Sequence, residues 1–437
     1  MISRMYQRLI TFAQKKENKE LLVHSLLGLS LRMVGAVGTF IMNVVVARYL
    51  GATQAGYFFL AITVCTIIVA IGRIGADQSV LRFVSIYSEK KEWDKVNGAI
   101  NKMMQWSLIT SVILTTIVCF FSKSISIHFF HKAQLEWPLF WIGLSIPLFA
   151  SFNLFSMALQ GLRKVILSVI ISKGLPFLLI ILALIFAPQD GATISILYFI
   201  SSILTFITAR YLWKRQVPFA KGNFDASVLW SNCAPLWIVA IMEQLQTWGG
   251  QFVAGIYNTP AELAQLAVAR NMTVLLTFIL NGVSYASAPR FASLYSEGKS
   301  QELKKYAQHT THLMTLLALP TVLFIWFFPG FIMSLFGKEF TEGIWLLRIL
   351  AIGQFINVIT GSVSYLLSMS GHGKDLRNIT IINGILAVVL AFILNPTFGA
   401  IGSAIATAIA IASSNLMAVG FVKKRLGFST LSILGFK

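Results

Sequence analysis

The sequence predicts an all-α polytopic membrane protein with about twelve transmembrane helices, arranged as two six-helix repeats around a central cavity. Three observations carry that prediction. Over 437 residues the composition is 56% hydrophobic and only 12% charged, with a mean hydropathy of +0.76, outside the range of a soluble chain. The apolar residues fall in continuous runs of about 20, the length that crosses a bilayer as a helix, which excludes a barrel of short alternating strands. One stretch occurs twice: Arg82-Phe83-Val84-Ser85-Ile86-Tyr87-Ser88-Glu89 returns 208 residues later as Arg290-Phe291-Ala292-Ser293-Leu294-Tyr295-Ser296-Glu297.

The repeat extends in both directions. Ala47 to Ala61 lies over Ala254 to Val268 at an offset of 207, and Gln160-Gly161-Leu162-Arg163-Lys164 lies over Ser370-Gly371-His372-Gly373-Lys374 at 210. These anchors are expected at loops between spans. A period this long marks a duplicated bundle rather than a solenoid.

The amino-terminal arm, residues 1–23, sets Met1, Ile2, Met5, Tyr6, Leu9, Phe12 and Ala13 at helical spacing among basic residues, so it is expected to lie on a membrane surface. Its length argues against a cleavable signal peptide. Spans follow near 24–47, 55–78, 103–121, 138–160, 165–187 and 192–213, forming the first bundle (24–213). Residues 214–228, with Pro218 and Gly222, read as the boundary between halves. The second bundle (229–421) has spans near 229–256, 262–287, 309–330, 343–369, 377–396 and 400–421, and 422–437 form a tail.

The net charge of +19 is a topology signal and not a mark of nucleic-acid binding. With both termini on one side, that side carries 27 Lys and Arg and the other has four: Arg48, Lys123, Lys132 and Lys338. The positive-inside rule makes the 27 cytoplasmic. Cys65, Cys119 and Cys233 all fall in apolar segments, so no disulfide framework is expected. The histidine pairs His128/His131 and His309/His312 have no carboxylate or cysteine beside them, and no metal site is expected there. Glu89, Lys90, Lys91, Glu92, Asp94 and Lys95 read as a solvated face.

Four arginines and two carboxylates lie inside spans, where a charge costs about 2.5–3.5 kcal/mol and faces protein or water. Arg32 begins a stripe with Gly35, Thr39 and Asn43 in span one; Arg73 and Asp77 are i,i+4 neighbours in span two. Span four holds Asn153, and span seven holds Glu243, Thr247 and Gln251. Arg270, Thr273, Thr277, Asn281 and Ser284 share one face of span eight, and span ten carries Arg348, Gln354 and Asn357. Two readings stand. Arg73 with Asp77, and Arg32 with Glu243, close into salt bridges that hold helices together; or these residues line a polar cavity with an excess of positive charge. Arg348, near the end of its span, also fits a side chain that snorkels to the interface. A cationic, hydroxyl- and amide-rich cavity suits an anion with many hydroxyls: arginine clamps phosphate, while Asn, Gln, Ser and Thr match sugar hydroxyls. Trp237, Trp248 and Tyr285 are candidates to stack on sugar rings.

Two repeated halves, the ARYLGATQAGYFFLA turn after an arginine-bearing first span, the Arg73/Asp77 end of span two running into Arg82-Phe83, and LQGLRK after span four together resemble the polysaccharide transporters of the multidrug/oligosaccharidyl-lipid/polysaccharide (MOP) flippase superfamily. The O-antigen flippases of the Wzx type are the nearest match, and the likeness covers nearly the whole chain. The resemblance implies a MATE-like fold, no enzymatic activity, and a bacterial inner-membrane location with both termini cytoplasmic. It implies an undecaprenyl-pyrophosphate-linked oligosaccharide as substrate, and a polysaccharide polymerase and chain-length regulator as partners. By position, Arg32, Arg73 and Arg270 are expected to engage the pyrophosphate. Asn43, Asn153, Gln251, Thr273, Thr277, Asn281, Gln354 and Asn357 are expected to line the cavity, with Arg348 less central. Asp77 and Glu243 are candidates for gating or for coupling to a proton or sodium ion; no cofactor is expected. The alternatives are a lipid II flippase, which usually has two further helices, a MATE-type cation or drug antiporter, and a membrane O-antigen polymerase or ligase. The longest outward loop is about 15 residues without paired catalytic carboxylates, and P-loop, Gly-x-Ser-x-Gly and His-Glu-x-x-His motifs are missing.

Overall fold

The computed structural model describes residues 16–184, 190–218, 220, 222 and 224–431; of the side chains before residue 38, only the site of Gly35 is described. All secondary structure in these residues is helical. Most of the amphipathic arm predicted at 1–23 lies outside them.

The first helix, α1 (Lys16–Gly72), is broken at Gly51, whose φ of 69° and ψ of 169° suit only glycine. The break separates the first two predicted spans. A second break at Ile74 (φ 46°) and Gly75 (φ 71°) leads into α2 (Ala76–Glu89). The first half continues with α3 (Trp93–Phe120), α4 (Glu136–Leu144), α5 (Ile146–Gly161), α6 (Val165–Val169), a π-helical turn at Ile170–Gly174, α7 (Leu175–Leu184) and α8 (Gly191–Gln216). In the second half are α9 (Ala226–Tyr257), α10 (Pro260–Ser296), α11 (Ser300–Phe327), α12 (Ile344–Ile359), α13 (Val363–Met369), α14 (Gly373–Phe398) and α15 (Ala400–Leu426).

Among the described residues nine helices are long and apolar enough to cross a membrane, or ten when Ala133–Leu144 and Ile146–Gly161, bent by 41°, count as one span. Val165–Ile181 is a shorter apolar segment. The predicted twelve is therefore approximate, its value depending on how broken helices are counted. α3 and α11, at corresponding places in the two predicted halves, both have 28 residues. The repeated motif itself differs from expectation. Arg82–Glu89 and Arg290–Glu297 are not loops; all but the last residue, Glu297, are helical, forming the final turns of α2 and α10.

Local chemistry fixes the helix starts. Thr259 and Glu262 form a reciprocal capping box ahead of Pro260, and the carboxylates of Asp190 and Asp225 accept from the backbone N–H of Thr193 and Ser227. Each cap satisfies N–H groups that the first turn of its helix leaves without an intrahelical partner.

The apolar core is divided. At the end bearing few basic residues, one cluster mixes both halves: Phe58, Leu60, Phe130 and Leu139 with Leu263, Leu276, Phe336 and Phe340. At the basic end there are two separate clusters. One holds Phe83, Val84, Ile100, Phe152 and Leu159 with Leu229 and Cys233 of α9; the other holds Phe291, Leu303, Leu366, Leu367 and Phe428.

Three side chains tie the halves at the sparsely charged end. Arg48 Nε donates to the Leu335 carbonyl at 2.6 Å, Glu339 Oε2 accepts from the Ala52 N–H at 2.8 Å, and Lys132 Nζ donates to the Gly255 carbonyl at 2.7 Å. Burial pushes the Lys132 ammonium below its ordinary range, with Glu262 opposing that shift. Gly56 packs directly on the start of α10: a Cβ there would stand 1.8 Å from the Pro260 carbonyl oxygen. Replacing Gly56 by Val is expected to push the halves apart there and to destabilise the protein by about 1–3 kcal/mol. Thermal unfolding of the detergent-solubilised variant measures this.

Candidate functional site: charged residues inside the helical bundle

α9 crosses between the two bundles. At its beginning it packs on the first half: Asn232 Oδ1 accepts from Arg82 Nη1 at 2.8 Å, and the Trp237 indole donates to the Ile71 carbonyl at 2.9 Å. Further along it moves to the second half, where a Cβ on Gly384 would meet Met242 and one on Gly250 would meet Thr407 and Ser403. Gly75 permits the first contact. Its positive φ opens α1 from α2, and a Cβ there would stand 2.3 Å from the Cys233 carbonyl oxygen.

The break is bracketed by charge. Arg73 Nη1 and Asp77 Oδ2 are 2.9 Å apart, with both side chains largely shielded. Part of each group lacks a further partner, since Arg73 Nε and Asp77 Oδ1 are buried without hydrogen bonds. The i,i+4 pairing read from sequence is therefore present. Glu243, an exposed side chain on α9, lies within electrostatic reach of Asp77. The pairing of Glu243 with Arg32 concerns a side chain outside the described ones.

Arg270 stands apart from every described carboxylate. Its guanidinium carbon lies 3.3 Å from the centroid of the Trp248 ring, its Nη2 reaches Asn271 Oδ1 at 3.5 Å, and its Nε is buried without a partner. Among the described residues it forms no ion pair. Ten residues beyond Pro260, it sits about 15 Å along α10. A cation over an indole face gains about 2 kcal/mol when desolvated, yet keeps its charge.

The rest of the predicted set divides. Thr277, Asn281, Gln354 and Asn357 are partly open, with Asn357 Nδ2 donating to Gln354 Oε1 at 3.1 Å. Asn153, also partly open, is tied to its own helix through the Phe149 carbonyl. Asn43, Thr273 and Gln251 are buried, so in this conformation they do not line an open cavity. Asn43 and Thr273 bond within their own helices, whereas both amide atoms of Gln251 lack partners. Arg348 lies far from Arg270 in role: it donates to the Trp326 carbonyl at 3.3 Å and rests between the Trp326 and Trp345 rings, as an interfacial anchor does. Of the aromatic candidates, Trp237 and Trp248 are engaged as described, and Tyr285 meets Tyr365 edge-on at 5.4 Å.

Sequence reading missed one residue. Lys173 is one of the 27 basic residues that the charge count puts on the cytoplasmic side, but it lies in the π-helical turn at Ile170–Gly174, within the predicted fifth span. A Cβ on Gly35 would stand 3.1 Å from Lys173 Cβ, and Lys173 is within electrostatic reach of Arg73. Its eight-residue distance from the helix start was the available signal; proximity to Arg163 and Lys164 in sequence concealed it.

The family model described as "Polysaccharide biosynthesis protein" matches residues 25–295. The chain belongs to the polysaccharide biosynthesis protein family. The MatE family model matches residues 235–397 of this family member, so the two models together reach both halves. It is 25% identical over 413 residues to the probable low-salt glycan biosynthesis flippase Agl15 of Haloferax volcanii, covering 89% of this chain and 82% of that one. A multidrug resistance MATE family transporter of the MOP superfamily, in its inward-facing conformation, superposes with a TM-score of 0.75 at 17% identity, over 92% of this chain and 98% of the other. The lipid II flippase MurJ, in an inward closed conformation, gives 0.74 at 18% identity over 91% and 87%. The fold is that of MOP transporters, as the sequence reading expected.

Because the Arg73–Asp77 pair is shielded, removing one partner leaves the other buried and alone. Arg73→Leu is expected to lower stability by on the order of 3 kcal/mol, and Arg73→Leu combined with Asp77→Leu to recover most of it. Unfolding of both variants in nanodiscs distinguishes this from a purely functional role.

Proposed function

We propose that this polysaccharide biosynthesis protein is a flippase for a polyprenyl-linked glycan. The substrate is an oligosaccharide on undecaprenyl pyrophosphate, an O-antigen or similar surface polysaccharide unit, moved from the inner to the outer leaflet of a bacterial plasma membrane. The observation that carries this reading is Arg270: a cation inside the bundle, held on Trp248, with no described carboxylate to neutralise it. Such a group is costly in a membrane protein unless it meets an anion, and the planar guanidinium matches phosphate oxygens two at a time.

With the basic end taken as cytoplasmic, the separate cores there and the joined core opposite correspond to a cavity open to the inside. Pyrophosphate and the first sugars occupy the cavity near Arg270, Arg73 and Arg32, with Thr277, Asn281, Gln354 and Asn357 facing sugar hydroxyls, while the polyprenyl tail stays in lipid. Alternation requires release of Arg48 from Leu335, Ala52 from Glu339 and Lys132 from Gly255. Outward transfer of two net negative charges across the whole field gains about 4–5 kcal/mol per 100 mV, inside negative. Glu243 and Asp77 supply acidic groups through which a proton or sodium ion couples to the same motion.

In proteoliposomes carrying a fluorescent undecaprenyl-pyrophosphate oligosaccharide, wild type is expected to flip the lipid, and Arg270→Ala to slow flipping at least about a hundredfold, the loss of one charge-assisted bidentate contact. Glu243→Gln separates the driving forces: transport that persists with an imposed potential but loses its response to an ion gradient identifies Glu243 as the coupling group. Wild type that moves no lipid-linked sugar and instead exchanges drugs for protons overturns the flippase reading. Disrupting the ties through Lys132→Ala is expected to raise labelling of cysteines placed near Phe130 by an outside, membrane-impermeant reagent.

A further inference from the structure

The geometry points to a second anion-binding position, formed by Lys173 with Arg73 nearer the basic mouth than Arg270, which receives the phosphate of a lipid-linked substrate first. This inference rests on the flippase reading and adds a residue and an order of engagement to it.

Five features support it. Lys173 lies within the predicted fifth span, in the apolar segment Val165–Ile181 and about 12 Å along from the start of α6, where a lysine needs a protein or solvent partner. Its side chain is exposed, so it is not used up in packing. No described carboxylate pairs with it, and its charged neighbour is another cation, Arg73, whose own counterion Asp77 is engaged at 2.9 Å. Gly35 supplies the room: a side chain there would press on Lys173 Cβ at 3.1 Å and on Val169 at 3.3 Å. The turn that carries Lys173 is π-helical, a local widening that re-aims a side chain and recurs at functional positions.

Two like charges within electrostatic reach of each other repel until an anion joins them. A phosphate or diphosphate satisfies both, and Lys173 acts as a mobile point charge where Arg270 is a fixed fork. The helix positions place Lys173 about 12 Å in from the basic end of its own segment and Arg270, 26 residues before Ser296, about 39 Å from the basic end of α10. An anion entering from the basic end therefore passes Lys173 before Arg270.

The test uses the full chain in nanodiscs with inorganic pyrophosphate as probe. Lys173→Cys, in a background where Cys65, Cys119 and Cys233 are replaced by Ala, is expected to react with a membrane-impermeant methanethiosulfonate, and pyrophosphate to slow that reaction at least about fivefold. By calorimetry, Lys173→Met is expected to weaken pyrophosphate binding about tenfold and Lys173→Arg to restore it, as the loss and return of one charge-assisted contact. A thiol that does not react, or a Lys173→Met protein that binds like wild type, overturns the mouth position. If Arg270→Met still abolishes binding in that case, the flippase reading survives; if wild type binds no pyrophosphate, both fail. Slowing produced by phosphatidylglycerol nanodiscs alone, and not by pyrophosphate in zwitterionic ones, assigns the position to bilayer lipid and overturns the proposal.

Discussion

In a bilayer, a backbone carbonyl or N–H released by a helix break has no water to turn to, and the structure is arranged around that constraint. At the break after Ile71, the Ile71 carbonyl accepts from the Ile74 N–H at 3.2 Å and also from the Trp237 indole. The break between α12 and α13 leaves the Thr360 carbonyl, and Thr430, from the segment after α15, folds back to donate to it at 2.8 Å. Arg48 and Lys132 serve the carbonyls of Leu335 and Gly255, and Glu339 serves the N–H of Ala52 beside the Gly51 break. Except for the Ile74 N–H, each donor or acceptor comes from a distant part of the chain. Apart from Thr430, which serves its own half, these contacts also join the bundles.

The same rule, applied to side chains, sorts the buried charges. Arg73 has a carboxylate one turn away, and the pair sits at the Gly75 break where α9 docks, so its structural role is secure whatever else it does. Arg348 has carbonyl and indole partners near the end of its span. Arg270 and Lys173 have none of these full solutions. An indole stabilises a guanidinium without neutralising it, and Arg73 beside Lys173 adds like charge. Those two residues are where an external anion is of most use.

The duplication gives the halves equal parts but unequal joints. Span two of the first half breaks at Gly75, whereas its counterpart α10 runs unbroken for 37 residues and carries Arg270. The break admits α9, which starts in the core of the first half and ends against α14 and α15. This asymmetry lets one helix couple two otherwise similar bundles.

Apolar runs and basic-residue placement were enough, from sequence, for the helical membrane fold, because each is a linear pattern that lipid and topology impose directly; the repeat at 208 carried the expectation of two halves, and the family rested on the likeness of its motifs. Sequence also singled out Arg270 as an arginine without a nearby acid, and Arg73 with Asp77 as a pair, since i,i+4 spacing is local. It did not place Trp248 under Arg270, withdraw Asn43, Thr273 and Gln251 into the packing, or single out Lys173 among the basic residues. Nor did it show the repeated Arg-Phe motif as helix ends. Those outcomes depend on which helix faces which, and that is set by glycine contacts and backbone breaks between segments far apart in the chain, which only the tertiary structure decides.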